Sequence, residues 1–296
     1  MHKHNKHSKG YDFEVLVANS PELETFVFTN SHGKSTIDFA NPKAVKSLNT
    51  ALLTLYYGVS YWEFPDDHLC PPIPGRVEYI HLLNDLLVAS GLREDVTVLD
   101  IGTGATCIYP LLGQAEYGWR FIATEIDKGA YKNAQKIINK NGLDEVITLR
   151  FQNNPQWILN DEILPSERVA ASMCNPPFYK NETEALEETK RKLKGLGKNT
   201  DTIVRNFSGT AQELWYPGGE KAFLHNYLYQ SSQLKKNCFW YTSLVSKKDH
   251  VKSMETSLKK LGATKIKKLE LSLGNKISRV MAWTFLSDKE QRDWNS

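Results

Sequence analysis

The run Val96-Thr97-Val98-Leu99-Asp100-Ile101-Gly102-Thr103-Gly104 limits what this chain can fold into more than any other stretch. β-Branched and apolar residues give way to alternate glycines, and the apolar run from Cys107 to Leu112 then suits a helix. A strand, a tight glycine turn and a helix, in that order, open a doubly wound α/β sheet. The missing Cβ atoms let the backbone approach a nucleotide-like ligand.

The dinucleotide fingerprint carries a third glycine where Cys107 stands here. Gly-x-Gly alone is a weak signal, but that departure and Asp100 at the strand end favour S-adenosyl-L-methionine over a nicotinamide dinucleotide. The next strand, Arg120–Glu125, ends in an acid about twenty residues past the glycines, where a carboxylate accepts hydrogen bonds from ribose hydroxyls. A helix with Ala130, Ala134, Ile137 and Ile138 inward follows and is closed by Asn141-Gly142. Val146–Phe151 reads as a third strand, with Gln152 and Asn153 placed to read an adenine edge. Any one of these polar residues suits a plain surface; their joint position at strand ends carries the weight, since open α/β sheets bind ligands there.

The apolar run Val169–Met173 is a fourth strand, stopped by Cys174-Asn175-Pro176-Pro177-Phe178. Two prolines hold the backbone stiff, Asn175 brings a side-chain amide, and Phe178 offers a flat face. A tight turn with a core Phe needs nothing more. A stiff pair of acceptors beside an aromatic plate also suits a planar ring with an exocyclic amine, and Tyr179 is either a second plate or a packed side chain. Phe239–Val245 is a fifth strand, and Ile266–Leu273 and Ile277–Leu286 flank Gly274-Asn275 as a closing hairpin. The expected fold is therefore α/β: a Rossmann-like, mostly parallel seven-stranded sheet of class I methyltransferase layout, preceded by a helical extension.

That extension spans residues 11–90, ahead of a cofactor-binding domain at 91–290. From Tyr11 to Gly58 the spacing predicts helix, most clearly from Asn41-Pro42 through Val45, Leu48, Leu52 and Leu55. Leu69–Gly75 is a proline-stiffened connector. It ends at Arg76, either a solvated arginine or a contact to a ligand carboxylate or phosphate. Residues 1–10 hold three lysines and three histidines and are expected to form a flexible basic arm. Net charge is only +3 over 296 residues, so any nucleic-acid surface must be local. Two basic features meet that condition. Lys190, Arg191, Lys192 and Lys194 follow an acidic run, as a charged helix or as a lid whose lysines meet RNA phosphate. Lys247 and Lys248 follow the fifth strand on the ligand edge. Gly218-Gly219-Glu220 is read as a structural loop in which Glu220 caps the next helix or holds the loop. Four scattered cysteines, none at zinc-ligand spacing, fit reduced thiols and no metal. No apolar run nears membrane-spanning length and no signal peptide opens the chain, so a cytoplasmic protein is expected.

With these motifs in place the chain resembles the ribosomal RNA large subunit methyltransferase F family (RlmF-like), related to a eukaryotic group that methylates small nuclear and messenger RNA. The resemblance runs from about Tyr11 to about Phe285. It rests on the helical lead-in, the connector ending in Arg76, Asp100–Gly104, Ala123-Thr124-Glu125, Asn175–Phe178 and Gly218-Gly219-Glu220. It implies S-adenosyl-L-methionine-dependent N6-methylation of one adenine in 23S ribosomal RNA, free or in a large-subunit assembly particle; a monomer is expected. It further implies that Arg76, Gly102, Glu125 and Asn175 touch cofactor or target base. With Asp100, Gly104 and Gln152 these make the expected cofactor site, and Asn175, Pro176, Pro177 and Phe178 the catalytic loop. Other planar amines (a protein glutamine, guanine N2, DNA adenine) and a non-catalytic RNA-binding module stay open on the residues alone.

Overall fold

A computed structural model describes residues 1–185, 187, 214–273 and 276–294. The extension begins with α1 (Phe13–Asn19) and a short 3₁₀ segment, Pro21–Phe26. A small antiparallel hairpin then interrupts the stretch predicted as helix: β1 (Val27–Thr29) pairs with β2 (Ser35–Ile37). Its turn is built by Asn30, whose side-chain oxygen accepts from the backbone N–H of His32 and Lys34 at 2.9 and 3.1 Å. Next come α2 (Pro42–Tyr57), capped by Asn41 with Pro42 in its first turn, and α3 (Ile73–Val88). Asn49 ties the two together, donating to the Pro71 carbonyl at 3.2 Å.

The opening segment is not a free arm. Asn5 and His7 are buried. The Asn5 amide donates to the Glu78 carboxylate (2.7 Å), the His2 N–H donates to the same carboxylate (2.6 Å), and His7 bonds the Tyr57 hydroxyl (2.7 Å). Lys6 meets Glu116 at 2.7 Å. The segment lacks apolar residues to bury, but it carries donors that buried groups on the helices require, and that docks it.

Beyond the extension the chain winds a sheet from β3 (Thr97–Ile101), β4 (Arg120–Glu125), β5 (Ile147–Phe151), β6 (Val169–Cys174), β7 (Cys238–Val245), β8 (Lys265–Leu273) and β9 (Lys276–Thr284). The strand order is β5-β4-β3-β6-β7-β9-β8, with only β9 antiparallel to its neighbours. This is the Rossmann-like layout the pattern predicts; the hairpin turn, Gly274-Asn275, lies outside the described residues. Helices α4 (Ile108–Tyr117), α5 (Lys128–Lys140), α6 (Gly219–Ser231) and α7 (Lys248–Leu261) cover both faces, and α8 (Asp288–Arg292) closes the chain. In β3, Val98 packs into one core and Leu99 into the other, and both are fully buried. A central parallel strand needs apolar residues on both sides for that reason.

Successive strands leave β3 in opposite directions, β4 on one side and β6 on the other, so a crevice opens between the carboxyl ends of β3 and β6. Register then fixes what meets there. Ile101 pairs with Thr124 and with Cys174, and Glu125 pairs with Phe151. Gly102, Glu125, Gln152 and Asn175 therefore leave the sheet at nearly one level. All four cysteines are free. Among the described residues no helix is long and apolar enough to cross a membrane, and no group of three or more His, Cys, Asp or Glu could hold a metal ion.

Candidate active site

A cavity of about 560 Å³ opens at those strand ends, within the size range of small-molecule sites. Its floor is the turn after β3. Gly102 holds φ +71°, a conformation that penalises any side chain, and a Cβ there would point into open space. Cys107 adopts φ +50° at the start of α4, so the third position of the fingerprint keeps a glycine-like backbone with a buried thiol in place of hydrogen. The turn is pinned from outside. Trp62 Nε1 donates to the Thr106 carbonyl (3.0 Å), Asn133 donates to the Ala105 carbonyl (2.7 Å), and Thr103 N–H donates to the Thr124 carbonyl (2.9 Å). Trp62 lies in the extension, which thus shapes the floor.

Glu125 is buried and lines the cavity. One carboxylate oxygen accepts from Gly104 N–H (2.8 Å) and the other from Ile126 and Asp127 N–H (2.8 and 2.9 Å). The carboxylate is thereby fixed in orientation at the cavity wall. Asp100 lies behind the floor, and its Oδ2 has no hydrogen-bond partner among the described residues. Burial pushes its carboxyl up to about 7; the Thr103 hydroxyl and Arg76 guanidinium oppose the rise, and the Glu125 charge adds to it. Arg76 stands in the first turn of α3 and lines the cavity. Its Nη1 donates to the Tyr109 hydroxyl at 3.0 Å, while its Nε is buried and has no partner among the described residues.

Gln152 also lines the cavity, but its amide is committed elsewhere. Nε2 donates to Glu162 at 2.6 Å and Oε1 accepts from Asn154 N–H at 2.9 Å. Its polar head braces the loop after β5, which corrects the expectation that it reads an adenine edge. Gln230 on α6 braces that loop too, accepting from Ile158 and Leu159 N–H at 2.8 and 2.9 Å. The loop in turn brings Trp157 and Ile158 to the cavity as apolar walls.

Across from the floor, Asn175 and Pro177 line the cavity, Pro176 is buried, and Phe178 stands 41% exposed. A large aromatic ring left that open beside a cavity is available for stacking. Backbone bonds join this loop to a later segment: Phe178 and Tyr179 N–H both donate to the Leu214 carbonyl, at 3.1 and 3.0 Å, and Tyr216 N–H donates to the Tyr179 carbonyl at 3.0 Å. Trp215, Tyr216 and Pro217 are thereby carried to the cavity wall, three residues that periodicity and motif spacing do not single out. Glu220 is structural, as read: it accepts from Ser246 N–H (2.7 Å) and bonds His250 Nδ1 (2.6 Å), anchoring α6 to the turn after β7. Lys247 and Lys248 are exposed on that turn, at the carboxyl end of β7. Lys190, Arg191, Lys192 and Lys194 lie outside the described residues.

Residues 1–287 match the model of a family described as RNA methyltransferase. The chain belongs to that family. It is similar to the ribosomal RNA large subunit methyltransferase F of Flavobacterium johnsoniae, at 44% identity over 99% of this chain and 96% of the relative. The protein of that name from Aeromonas salmonicida is also 44% identical, with 99% and 94% covered. Among solved structures, the hMettl16 catalytic domain in complex with a MAT2A 3′UTR hairpin superposes with a TM-score of 0.82 at 31% identity, covering 97% of this chain and 96% of that one. The N-terminal domain of human METTL16 in complex with SAH gives 0.76 at 29% identity, with 97% and 99% covered. For an RNA methyltransferase, an open crevice with an exposed aromatic at its lip and a glycine floor beneath is the geometry that two ligands, a small cofactor and a much larger substrate, both require.

Proposed function

We propose that this protein transfers a methyl group from S-adenosyl-L-methionine to the N6 amine of one adenine in 23S ribosomal RNA. The observation that carries the reading is the β3–β6 register, which pairs Ile101 with Cys174 and so sets the Asn175 loop beside the Gly102 floor.

The residues present fit the cofactor. Arg76 has an Nε without a partner among the described residues and suited to a carboxylate, Glu125 faces the cavity as a fixed acceptor for a ribose, and Gly102 leaves the space a Cβ would fill. When bound, S-adenosyl-L-methionine supplies a methyl group on a sulfonium, an electrophile with a neutral leaving group.

The exocyclic nitrogen of adenine is a poor nucleophile because its lone pair is delocalised into the ring. The Asn175 side-chain oxygen and the Pro176 carbonyl each accept one of its hydrogens, which draws the nitrogen toward pyramidal geometry and aims its lone pair into the crevice. Phe178 stacks on the base once it has left its helix, a contact worth roughly 1–3 kcal/mol. Positioning of this kind needs no strong base in the site, and the proton leaves to water after transfer. Lys247 and Lys248 meet RNA phosphate near the crevice mouth. The protein acts as a monomer in the cytoplasm, on free RNA or an assembling large-subunit particle, without a metal.

Labelled methyl transfer onto unmodified large-subunit RNA, followed by nucleoside identification, is expected to yield N6-methyladenosine at one position. Asn175→Ala is expected to abolish that product while calorimetry with S-adenosylhomocysteine stays near wild type. Label on another nucleoside, or full activity in the variant, would remove the reading.

A further inference from the structure

We infer that the indole N–H of Trp215 reads a ring-nitrogen acceptor next to the target's exocyclic amine, and thereby helps to decide which base is methylated. The inference rests on the proposed function above, in which Asn175 and Pro176 hold that amine.

Trp215 Nε1 is buried and has no hydrogen-bond partner among the described residues, although the side chain lines the cavity. An indole N–H can only donate, and a buried one normally finds an acceptor. Among the described residues none supplies one. The hydroxyl of the adjacent Tyr216 accepts from Asn226 Nδ2 at 3.0 Å. The unfilled donor therefore points to an acceptor brought by something that occupies the cavity.

Which ligand brings it follows from where Trp215 is anchored. Its backbone bridges Tyr179, and the Leu214 carbonyl before it accepts from Phe178 and Tyr179 N–H. It is thus tied to the chain that carries Asn175–Phe178, not to the floor formed by Gly102–Gly104. The donor sits in the half of the cavity that takes the base.

Adenine flanks its amine with N1 on one side and N7 on the other, and both accept. Guanine carries N1–H beside its amine, so a fixed donor there meets a donor. A site built to give a hydrogen bond rejects analogues that cannot take it far more strongly than an apolar wall does. The same side chain thus favours adenine over a guanine amine presented along its pairing edge.

The test is a cycle of one substitution against one atom. Trp215→Phe keeps an aromatic plane and removes the donor. Transfer is measured with large-subunit RNA fragments carrying adenosine, 1-deazaadenosine or 7-deazaadenosine at the target, and thermal unfolding and S-adenosylhomocysteine binding are measured alongside. On adenosine, Trp215→Phe is expected to lower kcat/KM by about 10- to 100-fold with cofactor binding unchanged. One of the two analogues is expected to slow wild type by a similar factor and to slow Trp215→Phe no further. Which analogue does so identifies N1 or N7. Independent, multiplying losses for both analogues would overturn the inference, as would a loss that appears in cofactor binding. Should the variant not fold, unimpaired transfer by wild type to both analogues overturns it too. Absence of N6-methyladenosine from wild type on the adenosine fragment overturns the proposed function and this inference with it; wild-type activity without coupling overturns the inference alone.

Discussion

Asp100→Asn is expected to stabilise the fold at alkaline pH while weakening cofactor binding. The carboxyl is 1% exposed, its Oδ2 lacks a partner among the described residues, and burial chiefly raises it from 3.8 to about 7. An acid raised in the folded state keeps its proton over a range where the unfolded chain has lost it. Folding stability therefore drops as pH climbs from about 4 to about 7 and stays reduced above. The gap sets a ceiling of about 4 kcal/mol at pH 8.5 and leaves about 1 kcal/mol at pH 4.5. Asparagine has nearly the same shape and no charge, so the variant escapes this penalty. Glu162 is also pushed up to about 7, mainly by burial, and titrates in both proteins, so the difference between them isolates Asp100.

Urea unfolding followed by tryptophan fluorescence at the two pH values is the assay. Asp100→Asn is expected to gain about 2–4 kcal/mol at pH 8.5 and no more than about 1 kcal/mol at pH 4.5. A gain of equal size at both pH values, or a loss at pH 8.5, would refute the reasoning. A buried carboxylate that weakens the fold is retained where its charge is used. S-adenosyl-L-methionine is a cation overall, and the variant is expected to bind it about tenfold more weakly, read by calorimetry.

Deleting residues 1–8 strips Glu78 of the donors from His2 and Asn5, and is expected to destabilise the protein by about 3 kcal/mol in urea; an unchanged midpoint would mean the segment is not part of the fold. Gly102→Ala places a Cβ in the cavity floor at φ +71°, and about 1–2 kcal/mol of lost stability with a loss of at least tenfold in S-adenosylhomocysteine affinity is expected. Unaltered affinity would move the cofactor away from that floor. Replacing both Lys247 and Lys248 by Ala is expected to lower RNA affinity and to shallow the slope of log affinity against log salt by about 2, with cofactor binding intact. An unchanged slope would put phosphate elsewhere.

Strand ends were the legible part of this chain. Asp100-Ile101-Gly102, Thr124-Glu125 and Cys174-Asn175-Pro176-Pro177 each announce themselves locally, because an apolar run meets a residue that cannot continue a strand or that carries chemistry. A doubly wound sheet turns three such local signals into one place without further information, since every parallel strand delivers its carboxyl end to the same edge. The hairpin at residues 27–37 was hidden for the opposite reason. Its strands are three residues each, too short for period-two alternation to stand out from neighbouring helical spacing.

The misread and missed residues share one physical cause: their roles depend on polar partners that only folding supplies. Gln152 looks free to read a ligand until Glu162, on a loop of no regular period, takes its amide. The opening segment looks too polar to order until the buried Glu78 asks for its donors from 73 residues away. Trp215 looks like any tryptophan in a loop until the Tyr179 bridge brings it back to the crevice from far along the chain. Apolar periodicity reports which face of an element is buried, and it is silent on which buried polar atom still lacks a partner. Three of the buried side-chain atoms without a partner among the described residues, Arg76 Nε, Asp100 Oδ2 and Trp215 Nε1, lie on or just behind the cavity wall. Where such an atom faces the cavity, a ligand rather than the chain can complete it.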